Sequence, residues 1–304
     1  MANQVNAIEI RNLTKSFRGM YALDNFNMTV PVGAIYGFIG ENGSGKSTTE
    51  KLICGHLVKD HGEIKLFGKD YTDPGVRVRV GALIENTGCF PGSSIYNNLK
   101  MQAINLNLEN PEEEIDRVLK IVRMEEHKQQ KFKKCSLGMK QRIGIAMALL
   151  GSPALLILDE PINGLDTDGM RIMREILVDI TQKYHTTVLI SSHILGELEK
   201  IATHYGIIRQ GKMIQELSAK DMDSRARVFV SIKTKDMNNA LKVLKAKYKD
   251  VRFEDEYLRV YDVENTEEIV EHLIKNGHVV NEIKRNKIGL EEYYIELMSR
   301  KEEK

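Results

Sequence analysis

The amino-terminal pattern alternates. Ile8-Glu9-Ile10-Arg11-Asn12-Leu13 and Phe26-Asn27-Met28-Thr29-Val30 predict two half-buried strands, paired antiparallel as a β-layer. Residues 34–39 form a short continuous apolar run, the mark of a strand covered on both faces. Residues 48–54 can wind as a helix. Another alternating strand, 62–68, is bounded by glycines, and residues 79–85 read as a buried strand ending in Glu85. From 96 to about 134 the pattern turns helical and polar. Pro111 followed by three glutamates marks a helix start, and Ile115, Val118, Leu119 and Val122 repeat at helical spacing. Ser136 is placed to cap the apolar helix 143–150. Residues 155–160 are four apolar positions ending in two acids. A helix then runs to about Tyr184, and a buried strand, 187–193, ends in His193.

The last third changes character. Residues 211–216 look like a closing hairpin strand, and 218–225 like a polar linker. Beyond it the predicted order is strand 228–232, helix 237–248 capped by Asp236, strands 251–253 and 257–260, helix 266–275 and strand 279–283. That β-α-β-β-α-β order predicts a small ferredoxin-like α+β domain, followed by a helix over 290–298. No chemical constellation falls here, so a structural, dimerising or regulatory role is expected.

Composition narrows the field without choosing a function. Of 304 residues, 42% are apolar and 29% charged, as in ordinary globular proteins. Lys+Arg 44 against Asp+Glu 43 leaves +1, so no global field favours nucleic acid. No apolar run approaches bilayer length, and residues 1–6 carry neither a basic nor an apolar segment, so no secretory signal is expected. Cys54, Cys89 and Cys135 are odd in number and lack metal-ligand spacing, which fits free thiols in a reducing cytoplasm.

Chemistry enters with Gly40-Glu41-Asn42-Gly43-Ser44-Gly45-Lys46-Ser47-Thr48. This stretch fits the phosphate-binding loop G-x-x-x-x-G-K-[ST], between a buried strand and a helix as that motif requires. Glycines let the backbone aim its N–H groups inward, and the following helix N-terminus adds partial positive charge. Lys46 would reach the β- and γ-phosphates and Ser47 would ligate Mg²⁺. The bland alternative is a glycine-rich turn without a ligand. In a phosphate-loop enzyme Asp159 would anchor Mg²⁺, while Glu160 would orient the attacking water and accept its proton. His193 arrives at the carboxyl edge of the sheet, where ligands of open α/β sheets bind. Phe17 is the aromatic expected flat against adenine, the alternative being an ordinary contact within the β-layer.

With the phosphate loop at 40–48, Cys135-Ser136-Leu137-Gly138-Met139, Asp159-Glu160, Gly164-Leu165-Asp166 and His193 in that order, residues 7–217 resemble the nucleotide-binding subunit of an ABC transporter. The resemblance implies a mixed-sheet core, an antiparallel β-layer and an inserted helical subdomain at about 90–152. A linker, 218–226, and an accessory domain, 227–304, would follow. It also implies a head-to-tail pair of cassettes, a homodimer, with each ATP between one phosphate loop and the partner's signature at Ser136, Leu137, Gly138 and Met139. Asp166 would sit at the seam, His193 at the γ-phosphate, and Glu160 would be the base. Leu137 and Met139 depart from the common Leu-Ser-Gly-Gly-Gln signature. Glu85 stands where most cassettes place a glutamine that senses Mg²⁺, and keeps a metal-facing oxygen.

These departures resemble the bacitracin and lantibiotic self-protection exporters. Those pair the ATPase with separate ABC-2 type permease subunits, which would hold it at the cytoplasmic face of the membrane. The second class to weigh is a soluble ABC ATPase acting on DNA or the ribosome, against which stand a single cassette and no basic arm. A phosphate-loop kinase would need neither the signature nor His193.

Overall fold

The computed structural model describes residues 6–263 and 265–299, so the expectation for the extreme amino terminus and the last residues of the accessory domain lie outside it. The chain divides into two compact units, Met1–Ala219 and Lys220–Lys304.

The first unit opens with the long strands β1 (Asn6–Phe17) and β2 (Met20–Pro31), paired antiparallel. Both exceed the expected strands because bulges interrupt the alternation. Register shifts fall around Leu13 and Lys15, and Asn12 and Asn25 take left-handed backbone that asparagine tolerates. Strands β4 (His61–Leu66) and β5 (Lys69–Asp70) complete a four-stranded sheet ordered β2-β1-β4-β5.

The second sheet is built on β3 (Ile35–Ile39), in which every residue is buried. With β6 (Val80–Leu83), β7 (Leu155–Asp159), β8 (Thr187–Ser192), β9 (His204–Arg209) and β10 (Lys212–Ser218) it runs β10-β9-β3-β8-β7-β6. All neighbours are parallel except β9 and β10, which makes the sheet mixed. Ile8, Ile10, Phe26 and Ile64 of the first sheet pack with Phe38, Ile157 and Leu189 of the second in one core. Helix α1 (Lys46–Ile53) adds Leu52 and Ile53 to that core.

A one-turn helix α2 (Pro74–Arg77) precedes β6. Between β6 and β7 lie α3 (Ile95–Asn105), α4 (Pro111–Ile121) and α5 (Leu137–Leu149). Their starts obey simple chemistry: Ser94 accepts from the Asn97 N–H, Pro111 opens α4, and Ser136 accepts from the Met139 N–H at 3.2 Å. Helix α6 (Thr167–Tyr184) and the short α7 (Leu195–Leu198) flank β8.

Residues 219–225, expected as a linker, instead form helix α8 (Ala219–Arg225), and the division between the units falls at its first residue. The second unit then runs β11 (Val228–Thr234), α9 (Met237–Lys247), β12 (Val251–Glu254), β13 (Tyr257–Tyr261), α10 (Thr266–Lys275), β14 (Val280–Lys287) and α11 (Leu290–Ser299). Its sheet is antiparallel throughout, ordered β12-β13-β11-β14, the arrangement of a ferredoxin-like domain. Val230 and Ile232 of β11 pack with Ala240, Leu244, Ile269 and Leu273 of α9 and α10. Phe229, which alternation puts on the opposite face of β11, joins Tyr261, Ile288 and Tyr293 in a separate cluster. Among the described residues no helix is long and apolar enough to cross a membrane.

Candidate functional site

The site forms where β3, β7 and β8 end. Strand β3 delivers the loop 40–45, which turns into α1 at Gly45. Two glycines are demanded by space. A Cβ on Gly40 would stand 2.6 Å from the Ile208 carbonyl, and one on Gly45, at φ +114°, 2.7 Å from that of Ala22. The Lys46 ammonium, almost wholly buried, turns back to donate to the carbonyls of Gly40 at 2.7 Å and Glu41 at 3.0 Å. Burial lowers its pKa, while Glu160, Glu50 and Asp159 oppose that shift. A loop that spends its own carbonyls on this ammonium can exchange them for phosphate oxygens.

Beside it the acids are held by two neighbours. Ser47 Oγ donates to Asp159 Oδ2 at 3.3 Å and Ser191 Oγ to Asp159 Oδ1 at 2.8 Å. The Glu160 N–H donates to Ser191 Oγ at 3.1 Å and to its carbonyl at 3.2 Å. Glu160 sits at φ +48°, a left-handed conformation uncommon for a glutamate. Its Oε2 receives the Asn163 side-chain amide at 3.0 Å and faces His193 Nδ1 at 3.0 Å. One oxygen of Glu160 is thus fixed from two sides.

The donor set fits a small hard cation. Ser47 and Asp159 offer two adjacent oxygens, and among the described residues no group of three or more acids, histidines or cysteines could hold a metal alone. A cation there must take its other ligands from phosphate and water, the usual habit of Mg²⁺. Glu85, expected at the metal, pairs its Oε1 with Lys51 Nζ of α1 at 2.5 Å, in a residue at φ +62° beyond β6.

Farther along, Ser136 caps α5, and Asp166 caps α6 by accepting from the Gly169 N–H at 2.8 Å. Leu137, half exposed, reaches within 3.0 Å of where a Gly164 Cβ would stand, and Gly138 faces Leu165 in the same way at 3.6 Å. Leu137 and Gly138 therefore lie against Gly164 and Leu165 within one chain. Phe17 is 44% exposed at the end of β1, with Lys15 Nζ over its ring, 5.3 Å from the ring centre.

Sequence reasoning missed Ser191, Asn163 and Glu50. Ser191 is the register partner of Asp159, which only strand pairing reveals. Asn163 lies three residues past Glu160, a spacing that could have pointed to it. Glu50 reads as a surface glutamate yet has no exposure at all.

Against known proteins, a family model described as ABC transporter matches residues 23–163. The Bacitracin transport ATP-binding protein BcrA of Enterococcus faecalis is 34% identical over 296 residues, covering 96% of this chain and 96% of that protein. The Lantibiotic transport ATP-binding protein SrtF of Streptococcus pyogenes is 40% identical over 222 residues, 73% of this chain and 95% of that one. Among solved structures, cbiO1 from Clostridium perfringens, part of the ABC transporter complex cbiONQ, aligns at TM-score 0.66 and 26% identity over 73% of this chain and 92% of its own. The dimeric bacterial ABC transporter cassette MJ0796 aligns at TM-score 0.63 over 70% of this chain and 98% of its own, a likeness of fold at 22% identity.

Proposed function

The chain belongs to the ABC transporter family, and from that premise we propose that this ATPase subunit drives export of a peptide antibiotic or similar toxic compound through a separate membrane permease. The observation that carries the ATPase part is the double hold on Glu160 Oε2 by Asn163 and His193, beside the Ser47–Asp159 pair and Lys46. A carboxylate so fixed can line up a water and take its proton.

In this reading residues 40–48 cradle the phosphates of ATP, and Lys46 trades the carbonyls of Gly40 and Glu41 for β- and γ-phosphate oxygens. Phe17 stacks on adenine. Ser47 and Asp159 hold Mg²⁺, which supplies charge neutralisation at the phosphates when bound. Glu160 accepts the proton of the attacking water, and His193 faces the γ-phosphate. Ser136 to Met139 and Asp166 belong to the seam of a homodimer, where each signature meets the partner's ATP.

Export of a peptide antibiotic is supported by the two relatives, a bacitracin and a lantibiotic transport protein, and by the span of the bacitracin relative, which includes the second unit. Location at the cytoplasmic face through the permease follows from the same reading. The test is reconstitution with the cognate permease in a sensitive host. Wild type should raise the inhibitory concentration of bacitracin or a lantibiotic, and Glu160→Gln should not. Equal sensitivity with and without the wild-type subunit would overturn the cargo class while leaving the ATPase intact.

A further inference from the structure

Phe17 stands at the end of an overhang. Strand β1 pairs with β4 as far as Thr14, opposite His61, and residues 15–17 run on past that ladder. On the other side they still pair with β2: Lys15 with Leu23, Ser16 with Tyr21 and Phe17 with Met20. The tip closes through Arg18 at φ +49° and Gly19 at φ +83°, the left-handed pair of a two-residue hairpin turn.

Where the β4 ladder stops, one side chain takes over. Asp60, the residue before β4, donates its own N–H to the Thr14 carbonyl at 3.0 Å. Its Oδ2 accepts from the Ser16 N–H at 2.7 Å and from Ser16 Oγ at 2.8 Å, and its Oδ1 accepts from Lys15 Nζ at 2.7 Å. Bonds to a charged carboxylate are the strong kind. The Lys15 side chain is held down to 15% exposure, and its ammonium stands over the Phe17 ring, 5.3 Å from the centre. Asp60 therefore grips both residues that lead into Phe17.

Resting on the reading of Phe17 as the base contact, we propose that Asp60 is a positioning residue for nucleotide binding. By clamping Lys15 and Ser16 it fixes Phe17, with Lys15 backing one face of the ring and the adenine base stacking on the other. The gain is entropic. A ring held in place beforehand loses little freedom when the base arrives, and one immobilised side chain is worth about 2-fold to 12-fold in affinity. The phosphates are held elsewhere, by residues 40–48, so the clamp serves the base alone.

The experiment is isothermal titration calorimetry of the full chain in Mg²⁺ with two probes, beside steady-state ATPase kinetics. One probe is a non-hydrolysable ATP analogue. The other is inorganic tripolyphosphate, which offers phosphates without a base. Asp60→Ala should weaken the analogue by about 2-fold to 12-fold and leave tripolyphosphate at its wild-type affinity. KM for ATP should rise by the same factor with kcat unchanged. Wild-type affinity for the analogue would overturn the proposal, as would equal losses for the two probes, which mark a general loosening of the fold.

Phe17→Ala reports on the underlying reading separately. It should weaken the analogue by about 5-fold to 150-fold, and wild-type affinity there would remove Phe17 as the base contact. Adding Asp60→Ala to Phe17→Ala should cost nothing further; additive losses would overturn the clamp. Should Asp60→Ala fail to fold, Asp60→Asn takes its place. It turns one of the two acceptors into a donor, so the same selective loss is expected, and wild-type affinity for the analogue would overturn the proposal.

Discussion

The side-chain amide of Asn163 donates to Oε2 of Glu160 at 3.0 Å, the oxygen that His193 Nδ1 also faces at 3.0 Å. A carboxylate that must aim at a water gains from having one oxygen tethered and the other left for chemistry. Asn163→Ala should therefore reduce kcat with little change in KM for ATP. His193→Ala, which also removes the side chain proposed to face the γ-phosphate, should reduce it further. Steady-state ATPase kinetics of the two variants check the order.

Glu160→Gln keeps the tether but cannot take a proton. Turnover should fall by on the order of 10²–10⁴ while ATP still binds. With ATP intact, a dimer should accumulate in ATP and Mg²⁺ and separate from monomer by size-exclusion chromatography. A variant that stays monomeric at saturating ATP would count against the paired-cassette reading.

Lys46→Ala removes the ammonium that the loop carbonyls now hold. ATP turnover should vanish and ATP binding weaken sharply, with circular dichroism unchanged. Normal hydrolysis by the folded variant would refute the phosphate-loop assignment.

The Glu85–Lys51 pair is partly open to solvent, with the carboxylate 58% and the ammonium 30% exposed. Pairs of this kind contribute about 0–1 kcal/mol. Glu85→Gln should leave the isolated subunit folded and binding ATP, with a modest shift in the Mg²⁺ dependence of its ATPase. Glu85→Ala should add a loss of coupling when the permease is present. Should Glu85→Ala match wild type in both settings, the carboxylate does no more than hold Lys51.

Glu50 sets a pH signature of stability. Its folded pKa, pushed up to about 8 by burial and the neighbouring acids, lies above the value of an exposed glutamate. The folded chain thus holds a proton that the unfolded chain releases first. Its contribution is fully present below about pH 4 and is lost as the pH rises towards 8, by on the order of a few kcal/mol. The stability gap between wild type and Glu50→Gln should therefore shift against wild type between pH 5 and pH 8. Urea unfolding midpoints at the two values measure it.

The phosphate loop, Asp159, Glu160 and His193 were legible because each lies at the end of a short apolar strand with its neighbours fixed by spacing. Ser191 was not, since its partnership with Asp159 arises across two parallel strands. Glu50 was hidden for a different reason. Between Thr49 and Lys51 it completes a polar-looking turn, and only the packing of α1 against the sheet shows that this face is sealed. Helix α8 was read as a linker because residues 218–225 carry charge and no apolar stripe, although Met222 is buried. The partner of Glu85 could not be read at all, for Lys51 is brought to it only by the direction in which α1 runs.

The tight quarters of Gly40 and Gly45 bear on how nucleotide affinity is reached. The loop is wedged between Ile208 of β9 and Ala22 of β2, and the Ser44 carbonyl accepts from the Gly211 N–H at 2.8 Å. Its shape is thus fixed during folding, by the two sheets it joins. A nucleotide meets a ready-made cradle and loses little binding energy to ordering it. By the same token, Gly40→Ala or Gly45→Ala would disturb the seam between the sheets before any phosphate arrives. The damage would appear first as lost thermal stability of the nucleotide-free chain, and only second as weakened binding.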